Sequence, residues 1–189
     1  MRKIIVSFFT IICIVGLLIS CAEKYDNQSI KFSFDDNGKY TGFSNLPTKY
    51  TVEDAKKDGC FVKQDSKDIA NKELWNSFIE DASKGKNTGI RIVKFYTETE
   101  DDTIVYFNDL FFDDDYYYLF DSSSENQKKQ PYQYLLMLEG KFGNPLRDSR
   151  VVVLTNDNTL KFNDVMKSLV SSNMEYIKSV SPYRLVMFE

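Results

Sequence analysis

The sequence predicts an α+β fold in which two or three helices pack on one face of a mainly antiparallel sheet. Runs rich in Ile, Val, Phe and Tyr follow one another from residue 89 onward, and acidic or glycine-containing breaks separate them. An earlier segment, 71–85, carries apolar residues at helical spacing and ends in Gly. Because strands that follow one another without intervening helices pair most simply as antiparallel neighbours, this order favours the α+β class.

The first twenty residues are typical of a secretory signal peptide. Arg2 and Lys3 form a cationic start, and the uncharged run 4–19 follows them. This run has 16 residues, which is fewer than the roughly 20 that a helix needs to cross a hydrocarbon core. A permanent transmembrane helix is therefore the weaker interpretation.

The end of this run resembles the bacterial lipobox. Leu18-Ile19-Ser20-Cys21 places a small residue before a cysteine, and the resemblance implies cleavage between Ser20 and Cys21 and transfer of a diacylglyceryl group to the Cys21 thiol. Two fatty chains, such as palmitate, hold a protein stably at a membrane where one chain does not. We therefore expect a lipid anchor on the extracytoplasmic face of the cell membrane. An ordinary signal peptide, or an uncleaved anchor that ends in Cys, is the alternative.

Composition and charge limit the function. Removal of residues 1–20 leaves 169 residues, enough for one domain, with 22 basic and 28 acidic residues and a net charge of −6. Nucleic acid is a poor candidate partner because phosphate binding requires clustered Lys and Arg. The chain has no His, which excludes Ser-His and Cys-His nucleophiles and imidazole-ligated zinc.

Cys60 is the one cysteine that remains once Cys21 is modified and the leader with Cys13 is removed. An intramolecular disulfide is then impossible, so the domain must be held together by its core. Phe61 and Val62 follow Cys60 directly, and these apolar neighbours favour a buried, unreactive thiol.

The mature chain divides into a leading segment and one domain. Residues 21–49 are expected to be a polar tether followed by a hairpin, because the alternating run 30–34 precedes the turn Asp35-Asp36-Asn37-Gly38. This hairpin either adds an edge to the domain or stays loose. Residues 50–189 are expected to form a single α+β domain.

Caps and apolar spacing predict the individual elements. Thr51 with Asp54 forms a capping pattern before a short helix over 52–58. Asn71 is predicted to cap the next helix, in which Trp75 is a core anchor. The other predicted elements are strands at 60–63, 90–97, 103–112, 116–120, 133–140, 150–154 and 183–188, and a helix at 163–171.

Three segments together resemble a known family. They are Tyr50-Thr51-Val52-Glu53-Asp54-Ala55-Lys56-Lys57-Asp58-Gly59, then Phe78-Ile79 with Lys84-Gly85-Lys86, then Ile90-Arg91-Ile92 with Tyr96-Thr97. Their order and spacing are similar to an uncharacterised family of small Gram-positive bacterial lipoproteins, domain of unknown function 4362, over about residues 50–121. The resemblance implies an exported lipoprotein and supplies no catalytic residues. The chain differs from the family at Cys60, where members carry Asp, and it lacks the paired cysteines often found in the family's C-terminal half.

The acidic and aromatic block 109–118 is the most prominent candidate for ligand binding. Asp113, Asp114 and Asp115 could gather a hard cation such as calcium, and the neighbouring Tyr hydroxyls could contact a glycan. However, the spacing of an EF-hand is absent, and acidic residues between two aromatic strands are typical of a solvated turn. The turn is the favoured interpretation.

Two further patterns resemble parts of catalytic sites. Glu98, Glu100, Asp101 and Asp102 form an acidic cluster, but glycoside hydrolysis requires two carboxyls held across a groove. Ser83-Lys84-Gly85-Lys86 matches the Ser-x-x-Lys arrangement of penicillin-interacting enzymes, but the companion motifs are absent and Lys suits the end of a helix. Neither pattern outweighs the structural interpretation.

These observations predict a lipid-anchored, extracytoplasmic module that is not an enzyme, uses no cofactor and binds an envelope protein or glycan. One alternative is a calcium- or glycan-binding surface lipoprotein that uses the turn at 113–118. A second alternative is a cell-wall hydrolase. The sequence leaves the ligand and the oligomeric state open.

Overall fold

The computed structural model describes residues 30–99 and 102–189. The helices in these ranges are α1 (Val52–Lys57), α2 (Lys72–Ser83), α3 (Phe162–Val170) and α4 (Met174–Ser179). The strands are β1 (Phe61–Gln64), β2 (Lys67–Ala70), β3 (Thr88–Thr99), β4 (Asp102–Asp113), β5 (Tyr116–Asp121), β6 (Tyr134–Phe142), β7 (Arg147–Thr155) and β8 (Tyr183–Phe188). No described helix has both the length and the apolar character needed to cross a membrane. The predicted leader, with Ser20 and Cys21, and the first part of the predicted tether lie outside the described residues.

The predicted α+β class with a mainly antiparallel sheet is confirmed. A five-stranded sheet has the order β2-β1-β3-β4-β5, in which only the β1–β3 pair is parallel. The strands expected to continue this sheet form a second, antiparallel sheet of order β6-β7-β8. In β7, Val152 and Leu154 pack toward the five-stranded sheet, whereas Val151 and Val153 pack toward α3. The second sheet is therefore a layer that is covered on both faces, which explains the continuous apolar run of β7.

The five-stranded sheet has two covered faces. The inner face carries Ile90, Ile92 and Leu110, and it packs against α2 and the three-stranded sheet. The outer face carries Val93 and Phe95, and it packs against α1 and the chain that precedes it. The helices thus lie on both sides of this sheet, because each of its faces presents an apolar surface that must be buried.

The segment that precedes α1 packs against the outer face. A single antiparallel bridge joins Phe34 to Tyr40 around the predicted turn. The ring of Tyr40 stacks on Phe120 at 4.1 Å, and the Phe32 ring lies 4.7 Å from that of Phe111. Tyr40 is only 3% exposed, so the packed structure extends ahead of residue 50.

Local signals at the helix ends are partly confirmed. Thr51 and Asp54 form the predicted capping box of α1. Asn71 precedes α2 with a left-handed φ of 57°, but its side chain makes no capping bond to the helix. Its amide instead donates to the carbonyls of Lys56 and Cys60, so Asn71 occupies the N-cap position as predicted but does not cap the helix with its side chain. Trp75 is 3% exposed and packs in the core as predicted.

Two elements have no counterpart among the predictions. β2 is a short edge strand with mostly exposed residues, and Asp65 and Ser66, both with positive φ, turn the chain back into it. α4 buries no residue, and the side chain of Asn173 caps it by accepting from the amides of Glu175 and Tyr176. Both elements lack the apolar periodicity on which the predictions depend.

Candidate functional site

A cleft of about 820 Å³ opens beside the first residues of β3. The segment 30–45 forms one wall, and the side of α2 that carries Ser77 and Asp81 forms the other. Arg91 and the end of α1 complete the lining. A concave site of this size with converging polar groups is the usual location of a ligand, so this cleft is the candidate functional site.

The cleft exists because β1 is shorter than β3. β1 pairs with β3 only from Ile92 to Phe95, so in residues 30–99 and 102–189 no strand pairs with 88–91 on the side opposite β4. At Gly89, a Cβ atom would come within 2.6 Å of the Phe111 ring and 3.3 Å of Ile30. Glycine therefore lets the segment 30–34 lie close to the sheet, and the backbone edge of 88–91 faces the cleft.

Arg91 and Asp109 form a buried ion pair on the outer face next to the cleft. Arg91 Nε donates to Asp109 Oδ1 at 2.7 Å, and Arg91 Nη2 donates to Asp109 Oδ2 at 2.6 Å. Arg91 Nη2 also donates to the Gly42 carbonyl at 2.9 Å, and the Tyr40 hydroxyl donates to Asp109 Oδ2 at 2.7 Å. Asp109 is fully buried, whereas the Arg91 side chain is 20% exposed. The network ties the segment 40–42 to the two central strands.

The environment fixes the protonation of this network. Burial by itself would lower the pKa of Arg91, but the hydrogen bonds and the charge of Asp109 outweigh it and raise that pKa. Burial raises the pKa of Tyr40, and the charge of Asp109 raises it further. Arg91 therefore stays a cation and Tyr40 stays a hydrogen-bond donor. Since Asp109 neutralises Arg91, the pair adds no net charge to the cleft.

Cys60 lines the same cleft as a buried thiol, as predicted. It is 3% exposed, and its Sγ lies 3.7 Å from the Tyr50 hydroxyl, which donates to Asp58 Oδ2 at 2.8 Å. Burial raises the pKa of the Cys60 thiol. Because the thiolate is the nucleophilic form, this thiol is poorly suited to covalent chemistry at neutral pH.

The Ser-x-x-Lys pattern lies at the end of α2, at the rim of the cleft. Ser83 Oγ donates to the Glu80 carbonyl at 2.7 Å. Lys84 Nζ lies 2.5 Å from Glu80 Oε1, and Lys86 Nζ lies 3.1 Å from Asp81 Oδ2. Both ammonium groups are paired with carboxylates, so neither is free to act as the base that a serine nucleophile needs.

The acidic and aromatic block 109–118 contains a tight turn between β4 and β5. Asp114 and Asp115 have φ values of 50° and 65°, and Asp113 accepts from Asn87 Nδ2 at 2.9 Å and lies 3.9 Å from Lys129 Nζ. Within the described part of the chain, no three acidic or cysteine side chains come together to hold a metal ion. The contacts of Asp113 are those of a structural turn residue.

The second acidic cluster is described only in part. Glu98 is exposed near the end of β3. Glu100, Asp101 and the side chain of Asp102 lie outside the described residues. Glu98 therefore does not occupy a buried position beside a second carboxyl in a groove, as glycoside hydrolysis would require.

Sequence reasoning missed the buried polar network. Arg91 stands between Ile90 and Ile92, and Asp109 precedes Leu110. Because side chains alternate along a strand, each charged side chain lies on the face opposite to that of its apolar neighbours. Arg91 and Asp109 are direct partners in the β3–β4 register. Charges of opposite sign inside two apolar strands are a signal of such a pair, but only the register shows that they meet.

Comparison with known proteins identifies no relative: no family model, no curated protein and no solved structure matches the chain. The resemblance to the lipoprotein family stays a prediction from the residues quoted above.

Proposed function

We propose that this protein is a lipid-anchored module on the extracytoplasmic face of the cell membrane, which binds an envelope component in its cleft and catalyses no reaction. The cationic start, the apolar run and the lipobox-like end at Cys21 support the anchor. The domain would then be held next to the membrane and the wall, where envelope proteins and glycans are its neighbours.

The observation that carries the binding role is the balanced chemistry of the cleft. The cationic side chains of the cleft are Lys31, Lys86 and Arg91, and the acidic ones are Asp58 and Asp81. The buried Asp109 neutralises Arg91. The formal charges of these six groups sum to zero. The open backbone edge of 88–91 adds hydrogen-bond donors and acceptors. Such a surface suits a polar, extended ligand, such as a peptide or glycan segment, rather than a strongly charged one.

The same groups support a site without catalysis. A nucleophile must be deprotonated or paired with a base, and a general acid or base must exchange protons near neutral pH. Arg91 and Tyr40 are held in single protonation states, Cys60 is held as a thiol, and Lys86 is paired with Asp81. None of these groups is prepared to transfer a proton or an acyl group.

Lipid attachment is tested by Cys21→Ala, with Cys13→Ala as the matched control inside the leader. Cys21→Ala should leave the precursor unprocessed or release the protein from the membrane fraction, whereas Cys13→Ala should fractionate as the unchanged chain does. Mass spectrometry that finds an unmodified Cys21 sulfur on the exported chain would contradict the anchor.

Binding in the cleft is tested by a photo-crosslinking residue at Ser77, which is exposed on the cleft wall, in intact cells. The control position is Asp148, which is exposed on the far hairpin of the three-stranded sheet. We expect a defined envelope adduct from position 77 that is absent from position 148. Equal adducts from both positions, or none from either, would argue against the cleft as the binding site.

A further inference from the structure

A second concave site lies on the inner face of the five-stranded sheet, well away from the cleft. The cluster that α2 and the three-stranded sheet form covers β3 from Ile90 to Ile92. Beyond this point, Lys94 and Tyr96 lie on the same face outside that cluster, and a groove of about 500 Å³ runs over them. Tyr106, Asn108 and Asp121 line it from the neighbouring strands. The groove therefore exists because the covering layer is shorter than the long β3–β4 hairpin.

The floor of the groove contains a largely buried amide that opens onto the groove. Asn108 is 2% exposed and lines the groove. Its side chain makes no hydrogen bond with any residue in the described ranges, although an amide offers two donors and an acceptor. The fully buried side-chain atom without a partner in these ranges is Gln127 Oε1, so the Asn108 amide is instead open to the solvent of the groove. A ligand in the groove could replace that solvent and bond to the amide.

Lys94 is the second unusual group in the groove. Its Nζ donates to the Val186 carbonyl at 2.5 Å, and no carboxylate among the described residues lies within ion-pair distance of it. Burial lowers the pKa of Lys94 to about 8, despite the attraction of Asp121. The Lys94 amine can therefore donate a hydrogen bond to a ligand. Because its pKa is lowered, it is less fully charged than an ordinary lysine and attracts an anion less strongly.

The remaining walls combine aromatic faces with acceptors. The rings of Tyr96 and Tyr106 are 5.8 Å apart at an angle of 70°, and Tyr96 is 40% exposed. Asp121 Oδ1 accepts from the amide and hydroxyl of Ser123, which leaves Oδ2 without a partner among the described residues. With Glu98 also on the rim, the acids outnumber Lys94 by two to one, which disfavours an anionic ligand.

We propose that this groove binds a neutral saccharide that carries an acetamido group. A sugar ring has an apolar face that packs on Tyr96 and hydroxyls that both donate and accept, as the mixed set of Lys94 and Asp121 requires. The acetamido group is itself an amide, and its N–H and carbonyl can form two complementary hydrogen bonds with the buried Asn108 amide. The groove is separate from the cleft, so this proposal does not depend on the function proposed for the cleft.

Isothermal titration calorimetry of the full chain in detergent tests the proposal with triacetylchitotriose and cellotriose, which share the β(1→4) linkage and differ in the acetamido group. We expect triacetylchitotriose to bind and cellotriose to bind at least tenfold more weakly. Tyr96→Ala should weaken binding of triacetylchitotriose roughly five- to tenfold, as expected for the loss of an aromatic contact. Tyr116→Ala is the matched control, because Tyr116 is 39% exposed on the outer face, and it should leave the affinity unchanged.

Each other outcome would overturn the proposal. Equal binding of the two trisaccharides would remove the role of the acetamido group, and binding of neither would remove the saccharide class. Binding that Tyr96→Ala leaves unchanged would place the ligand elsewhere. Because Tyr96 is 40% exposed, its variant is expected to fold, and Asn108→Leu then provides a second reduction in affinity.

Discussion

Asn108 and Asp109 are neighbours on β4, and the contrast between them separates the two faces of the sheet. Both are at least 98% buried. On the outer face, Asp109 accepts three hydrogen bonds from Arg91 and Tyr40. On the inner face, Asn108 has no side-chain partner among the described residues. A buried polar group that is fully bonded specifies how the segments pack, whereas an amide that opens onto a groove without a protein partner can bond to a ligand.

The largest expected effect is on the outer face, where the buried polar groups are hydrogen-bonded. Arg91→Met should destabilise the protein by about 3–5 kcal/mol, because it leaves the Asp109 carboxylate buried without its counter-charge. The double variant Arg91→Met, Asp109→Leu should regain much of this loss, since no charge then remains buried. Urea unfolding monitored by circular dichroism measures both changes.

Arg150→Met is the matched control for that prediction. Arg150 also pairs with two carboxylates, those of Glu139 and Glu189, but its side chain is 44% exposed. Exposed pairs contribute little, so its loss should move the unfolding midpoint only slightly. Equal effects of Arg91→Met and Arg150→Met would show that burial of the outer-face pair is not what matters.

The second prediction concerns the charge on the inner face. The unfolded chain keeps the Lys94 proton up to a pKa near 10.5, whereas the folded chain releases it near pH 8. Between these values the unfolded state binds more protons, so the free energy of unfolding should rise with pH. Below pH 8 both states are protonated, and the full penalty of about 3 kcal/mol applies.

Lys94→Met should therefore stabilise the protein at pH 7 by about 2–3 kcal/mol, less the lost bond to Val186, and should flatten the rise in stability between pH 7 and 9.5. This range stays below the region in which the raised pKa values of Tyr40 and Tyr50 act, because those lower stability only at higher pH. Parallel pH dependences for the two chains would mean that the amine is not desolvated in the folded state.

The third prediction tests how closely the outer-face segment approaches the sheet. Gly89→Ala should cost about 1–3 kcal/mol, because the new methyl group would collide with the Phe111 ring and crowd Ile30. Phe111→Leu removes the aromatic atoms that are contacted, so the cost of the double variant should be less than the sum of the single costs. If thermal unfolding showed that the costs of the two single variants add up fully in the double variant, the segment 30–34 would be able to move away from the new methyl group without strain.

Local signals were sufficient for most elements of the fold. The capping box at Thr51, the apolar stripe around Trp75 and the aromatic strands of the β3–β4–β5 meander are all readable within a few residues. β2 and α4 were missed because Lys67–Ala70 and Met174–Ser179 bury almost nothing. The strands β6, β7 and β8 form a second sheet that covers the inner face of the first. No local sequence pattern shows that these strands leave the first sheet.

The two concave sites were beyond sequence reasoning for a related physical reason. The block at Asp113 was the visible candidate because its acids are adjacent in sequence, and such acids usually lie in a turn. Arg91 and Asp109 come from different strands and meet through the register, and Lys94 and Asn108 come from the same two strands and line one groove. The proposed lipid anchor at Cys21 is the opposite case, since its signal is contained wholly in the sequence and lies outside the described residues.

The smallest expected effect has the opposite sign to the first. Asn108→Leu should raise the free energy of unfolding by about 1 kcal/mol, because it replaces a largely buried amide that bonds to no described residue with an apolar group of similar size. On the outer face, Asp109→Leu alone should destabilise, since it leaves the partly buried Arg91 cation without its partner. Chemical denaturation of the two neighbouring variants gives a direct comparison of the faces. If Asn108→Leu instead destabilised the chain as strongly as Asp109→Leu, Asn108 would be an architectural residue like its neighbour, and the inner groove would lose its main evidence for a ligand.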